Sequence, residues 1–356
     1  MNGTLFFAAD DGVLGGELWR SDGTEAGTSV VKDIHPTGNS YPRNLTNVEG
    51  TLFFSAFHPL YGRELWRSDG TEAGTSMVKD IHPAGSSNPS YLVNANGILF
   101  FSANNGTDGI ELWKSDGTDN GTVLVKDINP SIGSSNPSYI TYVDGAIFFV
   151  ANDGIAGREL WRSDGTISGT YLVQDITLGP VGSHPRYLTN VDGILYFSAD
   201  DGVNGRELWR SDGTITGTVL VADINPSGCS YPRYLTNAGG TLYFVGDNGN
   251  SGRELWRIAP SITFRLEPPL RVRMGQRFRV QVMLLDQHGD PWPVSNVAIR
   301  LSLRAGSGLS GTLVKRTSIH GLATFGDLVL SQPGRYRLVA RLGNGLQVLS
   351  RVIVVR

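Results

Sequence analysis

The 356-residue chain has a single cysteine, Cys229, so no disulfide can close within it. A lone thiol with no His or second Cys beside it in sequence reads as a small turn or buried residue. No apolar run approaches the roughly 20 residues that a membrane-crossing helix needs. No window sustains a helical apolar period either. A secretory leader is missing, but Met1-Asn2-Gly3-Thr4 runs straight into "LFFAAD", which reads as an interior strand. We therefore expect a truncated N-terminus, and the missing leader carries no weight against secretion. Basic charge is scarce in one part and acidic charge in the other. Residues 1–260 carry 16 Lys/Arg against 29 Asp/Glu, and residues 261–356 carry 14 against 4. Such a change of sign marks a boundary.

What the chain has in abundance is repetition. "ELWRSDGTEAGT" occurs at Glu17 and again at Glu64, and the Glu of "ELW" recurs at Glu111, Glu159, Glu207 and Glu254, at spacings of 47 or 48 residues. Six of the seven tryptophans sit in it: Trp19, Trp66, Trp113, Trp161, Trp209 and Trp256. A fixed period of this size signals stacked supersecondary units. Each unit divides into four short β-rich segments closed by Gly, Asp, Asn or Pro; from Pro185 they are "PRYLTNV", "ILYFSAD", "GRELWRS" and "GTVLVADI". Four strands per repeat predict an all-β chain whose residues 1–260 form a β-propeller of about six four-stranded blades. The terminal blades are incomplete. Three strands precede Pro42, full blades start near Pro42, Pro89, Pro137 and Pro185, and the last, from Pro232, stops after three, giving 22 strands in place of 24.

A meander of this kind puts the turns "NVDG" and "SDGT" at one end of the sheets and the loops "ADDG" and "DIHPTGNSYP" at the other. The turn residues Asp22-Gly23, Asp69-Gly70, Asp116-Gly117, Asp164-Gly165 and Asp212-Gly213 read as structural, because Asp bonds its own downstream backbone and Gly takes positive φ. The motif glutamates stand beside Arg63, Arg158, Arg206 and Arg253, and we expect cross-strand or inter-blade ion pairs. At the other end, the pairs Asp10-Asp11, Asn104-Asn105, Asn152-Asp153, Asp200-Asp201 and Asp247-Asn248 each precede Gly. Paired oxygens before a Gly turn are Ca²⁺-ligand candidates, and equally plain turn chemistry. "FHPLYG" breaks the pattern once, making Phe57, His58 and Tyr61 candidates for stacking on a sugar or peptide. His35 and His82 share one repeat position with Asn129 and Asn225, and read as solvated loop residues.

After residue 261 the repeat ends. "RFRVQVMLLDQHGDPWPVSNVAIRLSL", "GLATFGDLVLSQPGRYRLVARL" and "LQVLSRVIVV" alternate between Gly/Pro turns, which predicts an Ig-like β-sandwich over 261–356. Trp292 follows Pro291 and is expected to pack on that turn. Thirteen arginines, among them Arg265, Arg271, Arg273, Arg277, Arg279, Arg300, Arg304, Arg335, Arg337 and Arg341, suggest a basic stripe. It could dock the acidic part, bind an anionic polymer or, lowest of the three, bind nucleic acid, for which no motif is present.

The five "ELWRSDGT" or "ELWKSDGT" copies resemble the ELWxxDGT-repeat proteins of bacteria, over residues 1–257. The sixth departs as "ELWRIAP". The tail resembles bacterial Ig-like modules of the invasin and adhesin type. These resemblances imply a secreted or surface-displayed protein and give no catalytic residue to carry over. The expectation is a non-enzymatic binding or adhesion module, its partner a surface glycan, an anionic polymer or a protein. A matrix or sheath repeat is the first alternative, and a secreted propeller hydrolase of glycans the second. The hydrolase needs two unlike carboxylates converging on one site, and the chain offers only repeated ones.

Overall fold

The computed structural model describes residues 1–130, 133–258, 261–285, 297–318, 320–342 and 347–356. All of its regular structure is β, in 33 strands, with no helix among the described residues. The first sheet has three strands: β1 (Leu5–Asp10), β2 (Gly16–Ser21) and β3 (Ser29–Lys32). Four-stranded sheets come next: β4 (Arg43–Val48), β5 (Thr51–His58), β6 (Gly62–Ser68) and β7 (Ser76–Lys79); β8 (Ser90–Ala95), β9 (Ile98–Asn104), β10 (Ile110–Ser115) and β11 (Val123–Lys126); β12 (Ser138–Val143), β13 (Ala146–Asn152), β14 (Arg158–Ser163) and β15 (Tyr171–Gln174); and β16 (Arg186–Val191), β17 (Ile194–Asp200), β18 (Arg206–Ser211) and β19 (Val219–Ala222). The sixth sheet again has three: β20 (Arg233–Ala238), β21 (Thr241–Asp247) and β22 (Arg253–Ile258). Each is an antiparallel meander in sequence order, the 3-4-4-4-4-3 pattern expected from the repeat.

The register explains the motif. The Trp of each third strand faces a Phe of the second, as in Phe54–Trp66, Phe101–Trp113 and Phe149–Trp161. The second strands β5, β9, β13 and β17 are buried almost throughout, Phe54, Phe101 and Phe149 completely, which is why they lack polar alternation. Trp66, Trp113 and Trp161 are buried among side chains of the preceding sheet. Trp66 packs with Leu18, Val31 and Ile34, Trp113 with Leu65, Val78 and Ile81, and Trp161 with Leu112, Val125 and Ile128. The indole thus fills the space between successive sheets. At their other edge, the first strands β4, β8 and β12 lie side by side.

By compactness the chain divides into Met1–Leu188 with Ala199–Val203, and Thr189–Ser198 with Asn204–Arg356. Strand pairing changes hands elsewhere, between β22 and β23 (Ser261–Leu266), because β23 pairs with β25 and not with β22. The C-terminal strands are β24 (Arg271–Val272), β25 (Arg277–Leu285), β26 (Ala298–Leu303), β27 (Leu309–Ser310), β28 (Val314–Arg316), β29 (Leu322–Leu330), β30 (Gly334–Tyr336), β31 (Leu338–Arg341), β32 (Gln347–Leu349) and β33 (Ile353–Val355). They form three sheets, ordered β23-β25-β29-β27, β24-β33-β30 and β28-β26-β31-β32. The pair β24–β33 is parallel. The arginines expected to form a stripe are all exposed; Arg300 and Arg341 are direct cross-strand neighbours. The turn at "DQHGDP" and the packing of Trp292 lie outside the described residues. No described helix is long and apolar enough to cross a membrane.

Candidate functional site: a tyrosine and arginine cleft at the strand starts

The "SDGT" turns close on themselves. Asp69 Oδ1 accepts from the Thr71 amide at 2.8 Å and its hydroxyl at 2.7 Å, Thr71 Oγ1 accepts from the Gly74 amide, and Thr75 Oγ1 donates to the Thr71 carbonyl. Asp22, Asp116, Asp164 and Asp212 repeat the pattern. The threonine hydroxyl and amide hold Asp22, Asp69, Asp116 and Asp164 below the usual carboxylate range. Each knuckle is also tied to its neighbour. Arg20 donates to the Gly70 carbonyl at 2.9 Å, Arg67 to that of Gly117 at 2.9 Å and Lys114 to that of Gly165 at 2.8 Å. A cavity of about 370 Å³ at this end includes Asp116, Asp164 and Lys114 in its lining, all committed to these bonds.

The motif glutamates do not form the expected ion pairs. Glu17, Glu64, Glu111, Glu159 and Glu207 are wholly buried, and each receives donors from the loop leading to the next sheet. Glu64 accepts from the Ile81 amide at 3.0 Å, from the Ser87 amide at 2.8 Å and from the Ser87 hydroxyl. Ile34 and Ser40, Ile128 and Ser135, Thr177 and Ser183, and Ile224 and Ser230 serve the other four. A carboxylate can satisfy several amide donors at once, which an arginine partner would prevent. The neighbouring arginines turn elsewhere: Arg63 donates to the Tyr41 carbonyl at 2.9 Å, and Arg158 to Ser138 Oγ at 2.6 Å. Burial pushes Glu64, Glu111, Glu159 and Glu207 up, against the pull of their donors, and Glu159 reaches about 7.

The candidate Ca²⁺ residues are caps of their own turns. Asp10 and Asp11 accept from the amides of Gly12, Val13 and Leu14; Asn104 and Asn105 from Gly106, Thr107 and Asp108; Asn152 and Asp153 from Gly154, Ile155 and Ala156; Asp200 and Asp201 from Gly202 and Val203; Asp247 and Asn248 from Gly249, Asn250 and Ser251. Among the described residues no three His, Cys, Asp or Glu side chains gather as metal ligands, and each pair has at least one oxygen engaged in its own turn. His82 is not a solvated loop residue either. It is partly buried, and a Cβ on Gly85 or Gly106 would press on its ring. Asn129 and Asn225 fill the same slot against Gly133, Gly154 and Gly249. Phe57 stacks on His35 at 5.6 Å, and His58 lies between Tyr61 at 5.0 Å and Trp66 at 6.1 Å. All three rings proposed for stacking thus make local ring contacts; Tyr61 remains 42% exposed. Cys229 is half-buried in the loop after β19, its Sγ accepting from the Arg206 amide.

The feature that sequence reading missed lies at the start of each first strand. The segments Asn88-Pro89-Ser90-Tyr91, Asn136-Pro137-Ser138-Tyr139 and His184-Pro185-Arg186-Tyr187 each begin and end on a residue with φ between 49° and 57°. Left-handed backbone at non-glycine residues costs on the order of 1 kcal/mol or more apiece, and persists only where its surroundings dictate it. The glutamate clamp supplies that constraint. It fixes Ser87, Ser135 and Ser183, and the next amides, of Asn88, Asn136 and His184, donate back to the carbonyls of Arg63, Ile110 and Arg158. A register shift comes next in the strand, at Ser90/Val93 and Ser138/Thr141. The outcome is a set of tyrosines turned outward. Tyr91 and Tyr139 stay 48% and 40% exposed, their ring centroids 6.4 Å apart.

These two rings line a cleft of about 580 Å³ with Ser90, Ser102, Ile110, Asn136, Ser138, Arg158, His184 and Arg186. It holds two guanidiniums, and no carboxylate lines it. Burial, with Arg186 nearby, lowers the Arg158 guanidinium from its usual range, while the two phenols act in the opposite direction. The lining also shows the signal that could have found the site. Ile110 stands where other repeats have Arg63, Arg158, Arg206 and Arg253. Arg63 reaches Ser55, whose counterpart is Ser102, so the missing guanidinium leaves the floor open.

The chain matches no protein-family model and no curated protein. Among solved structures it is similar to prolyl oligopeptidase B from Galerina marginata, at 8% identity over 96% of this chain and 54% of that one, with a TM-score of 0.45. It is also similar to a prolyl endopeptidase, at 11% identity over 86% and 53% with a TM-score of 0.43, and to the D00-D0 domain of intimin, at 12% over 34% and 66% with a TM-score of 0.21. The chain thus spans about half the length of the prolyl peptidases, and 17% of a β-glycosidase from Bacteroides vulgatus. At these scores no activity transfers.

Proposed function

We propose that this chain is a non-catalytic binding module of a bacterial extracellular or surface protein. In this reading residues 1–260 are an ELWxxDGT-type propeller of about six blades, and residues 261–356 an Ig-like spacer or docking unit. The observation that carries the binding role is the cleft. Three successive repeats converge on it, their strained strand starts hold tyrosine faces outward, and its polar lining offers donors and rings without the paired carboxylates of glycan hydrolysis. Screening the whole chain on a broad glycan and peptide array tests it. Binding that Tyr139→Asn abolishes is the expected result; Asn removes the ring and tolerates the left-handed backbone. Turnover of any glycoside or peptide at this cleft, or an array without a hit sensitive to that change, would overturn it.

A further inference from the structure

We infer that the cleft takes a carboxylated saccharide, with Tyr91 and Tyr139 as the platform for a sugar ring and Arg158 and Arg186 as the partners of its carboxylate. This rests on the binding reading above and names the ligand class. The two arginines are the first reason. They stand near each other in a cleft whose lining supplies no acid, within a part of the chain that is otherwise acidic. Arg158 bonds to neutral groups, Ser138 Oγ and the Asn136 carbonyl, the latter at 3.4 and 3.5 Å. The Ser138 bond is short, at 2.6 Å, but both partners are neutral, and a guanidinium with neutral partners gains a charged, bidentate one when a carboxylate arrives. The tyrosines are the second reason. Half-exposed rings at 6.4 Å and 38° to one another offer apolar faces to the C–H face of a sugar, and Asn136 with Ser90 and Ser102 offers hydroxyl partners. An acidic peptide would use the arginines but leave the platform idle. The opening is the third reason. Ile110 stands where four other repeats carry Arg63, Arg158, Arg206 and Arg253 and the first carries Gly16, and Ile110 itself lines the cleft.

Calorimetric titration of the whole chain tests the inference with three probes: tetragalacturonate, the same tetrasaccharide with its carboxyls reduced to alcohols, and a glutamate oligomer. Tetragalacturonate should bind at least tenfold more tightly than the reduced sugar and the peptide. Arg186→Gln, on the surface, should weaken it about tenfold. Ile110→Arg installs the arginine that other repeats carry, and should abolish binding while the melting transition stays in place. The basic residues 261–356 attract polyanions by charge alone, so binding indifferent to both variants overturns the inference. Equal binding of the reduced sugar removes the carboxylate requirement and leaves the binding reading standing. Equal binding of the glutamate oligomer overturns the saccharide class. If Ile110→Arg does not fold, Arg186→Gln decides. Failure of all three probes overturns this inference, while array binding sensitive to Tyr139→Asn would still uphold the broader reading; failure of both ends both.

Discussion

The fifth and sixth repeats carry the same "RELWR" and differ in the segment after it. In β18 the motif is succeeded by a knuckle, a fourth strand and a clamped loop; in β22 the sheet ends. Glu207 and Leu208 are wholly buried, whereas Glu254 is exposed and Leu255 is 72% exposed. Trp209 is 8% exposed and leaves its indole N–H without a partner, while the less buried Trp256 donates to the Gly246 carbonyl. Identical letters thus occupy opposite environments. The motif does not bury itself. It is completed by the outer strand and by the loop whose amides its glutamate receives, and five repeats supply these while the sixth does not.

The sharpest way to break this comparison is to remove the carboxylate from each setting. Glu64→Ala strands the Ile81 and Ser87 amides and the Ser87 hydroxyl in a buried site. Leaving buried donors unsatisfied costs about 1–3 kcal/mol each before relaxation, so a loss of about 3–5 kcal/mol is expected. Glu254→Ala should stay within about 0.5 kcal/mol, as an exposed substitution. Chemical denaturation of both variants checks this. Equal losses would mean that the clamp is not what distinguishes the repeats.

The titration of Glu159 sharpens the same contrast. Its folded form is pushed up from 4.5 to about 7 by burial, so the fold favours the protonated acid. Below about pH 4.5 both states are protonated and the group is neutral toward stability. As pH rises to about 7 the unfolded chain ionises first and stability falls; above that the loss is complete, at most about 3 kcal/mol. Glu64, Glu111 and Glu207 act in the same direction. Melting temperature should therefore decline between pH 5 and 8, and Glu159→Gln should flatten part of that decline whatever its effect on stability at pH 5. A rise across this window in the unmodified chain would show the donors outweighing burial.

Much of this could be read from the letters and some could not, for physical reasons. Strand number, the pattern of three- and four-stranded sheets and the inter-sheet Trp stem from local composition at a fixed period, because turns and β-rich segments announce themselves over a few residues. The fate of Glu64 does not. Its partners are Ile81 and Ser87, about 20 residues away, and proximity in sequence favoured Arg63, which the strand geometry sends to Tyr41 and Ser55. The cleft was hidden for a related reason. Positive φ is expected of Gly or Asn, so a tyrosine three residues after Asn88 or Asn136 gives no local sign of it. The asymmetry at Ile110 was visible, but it acquires meaning only once Arg63 is seen reaching into the equivalent space.

The knuckle offers the smallest of these effects and the cleanest test of why the first five sheets share it. In β22, Ile258 replaces the serine that closes β2, β6, β10, β14 and β18, and the sequence after it has no "DGT". Where the knuckle is present, its second glycine lies under the aspartate: a Cβ on Gly74 would overlap the Asp69 carboxylate, as on Gly121 with Asp116 and Gly169 with Asp164. Gly74 is not at positive φ, so the obstacle is contact and not backbone strain. Gly74→Ala should cost about 1–3 kcal/mol through overpacking. Asp69→Ala alone should cost less than that, because its two bonds to Thr71 lie at an exposed site. The double variant should then be more stable than the sum of the two losses predicts, because the clash disappears with the carboxylate. Additive losses would place the requirement for glycine in the backbone, and would remove the aspartate-over-glycine contact from the account of why "DGT" and "GT" recur four residues apart.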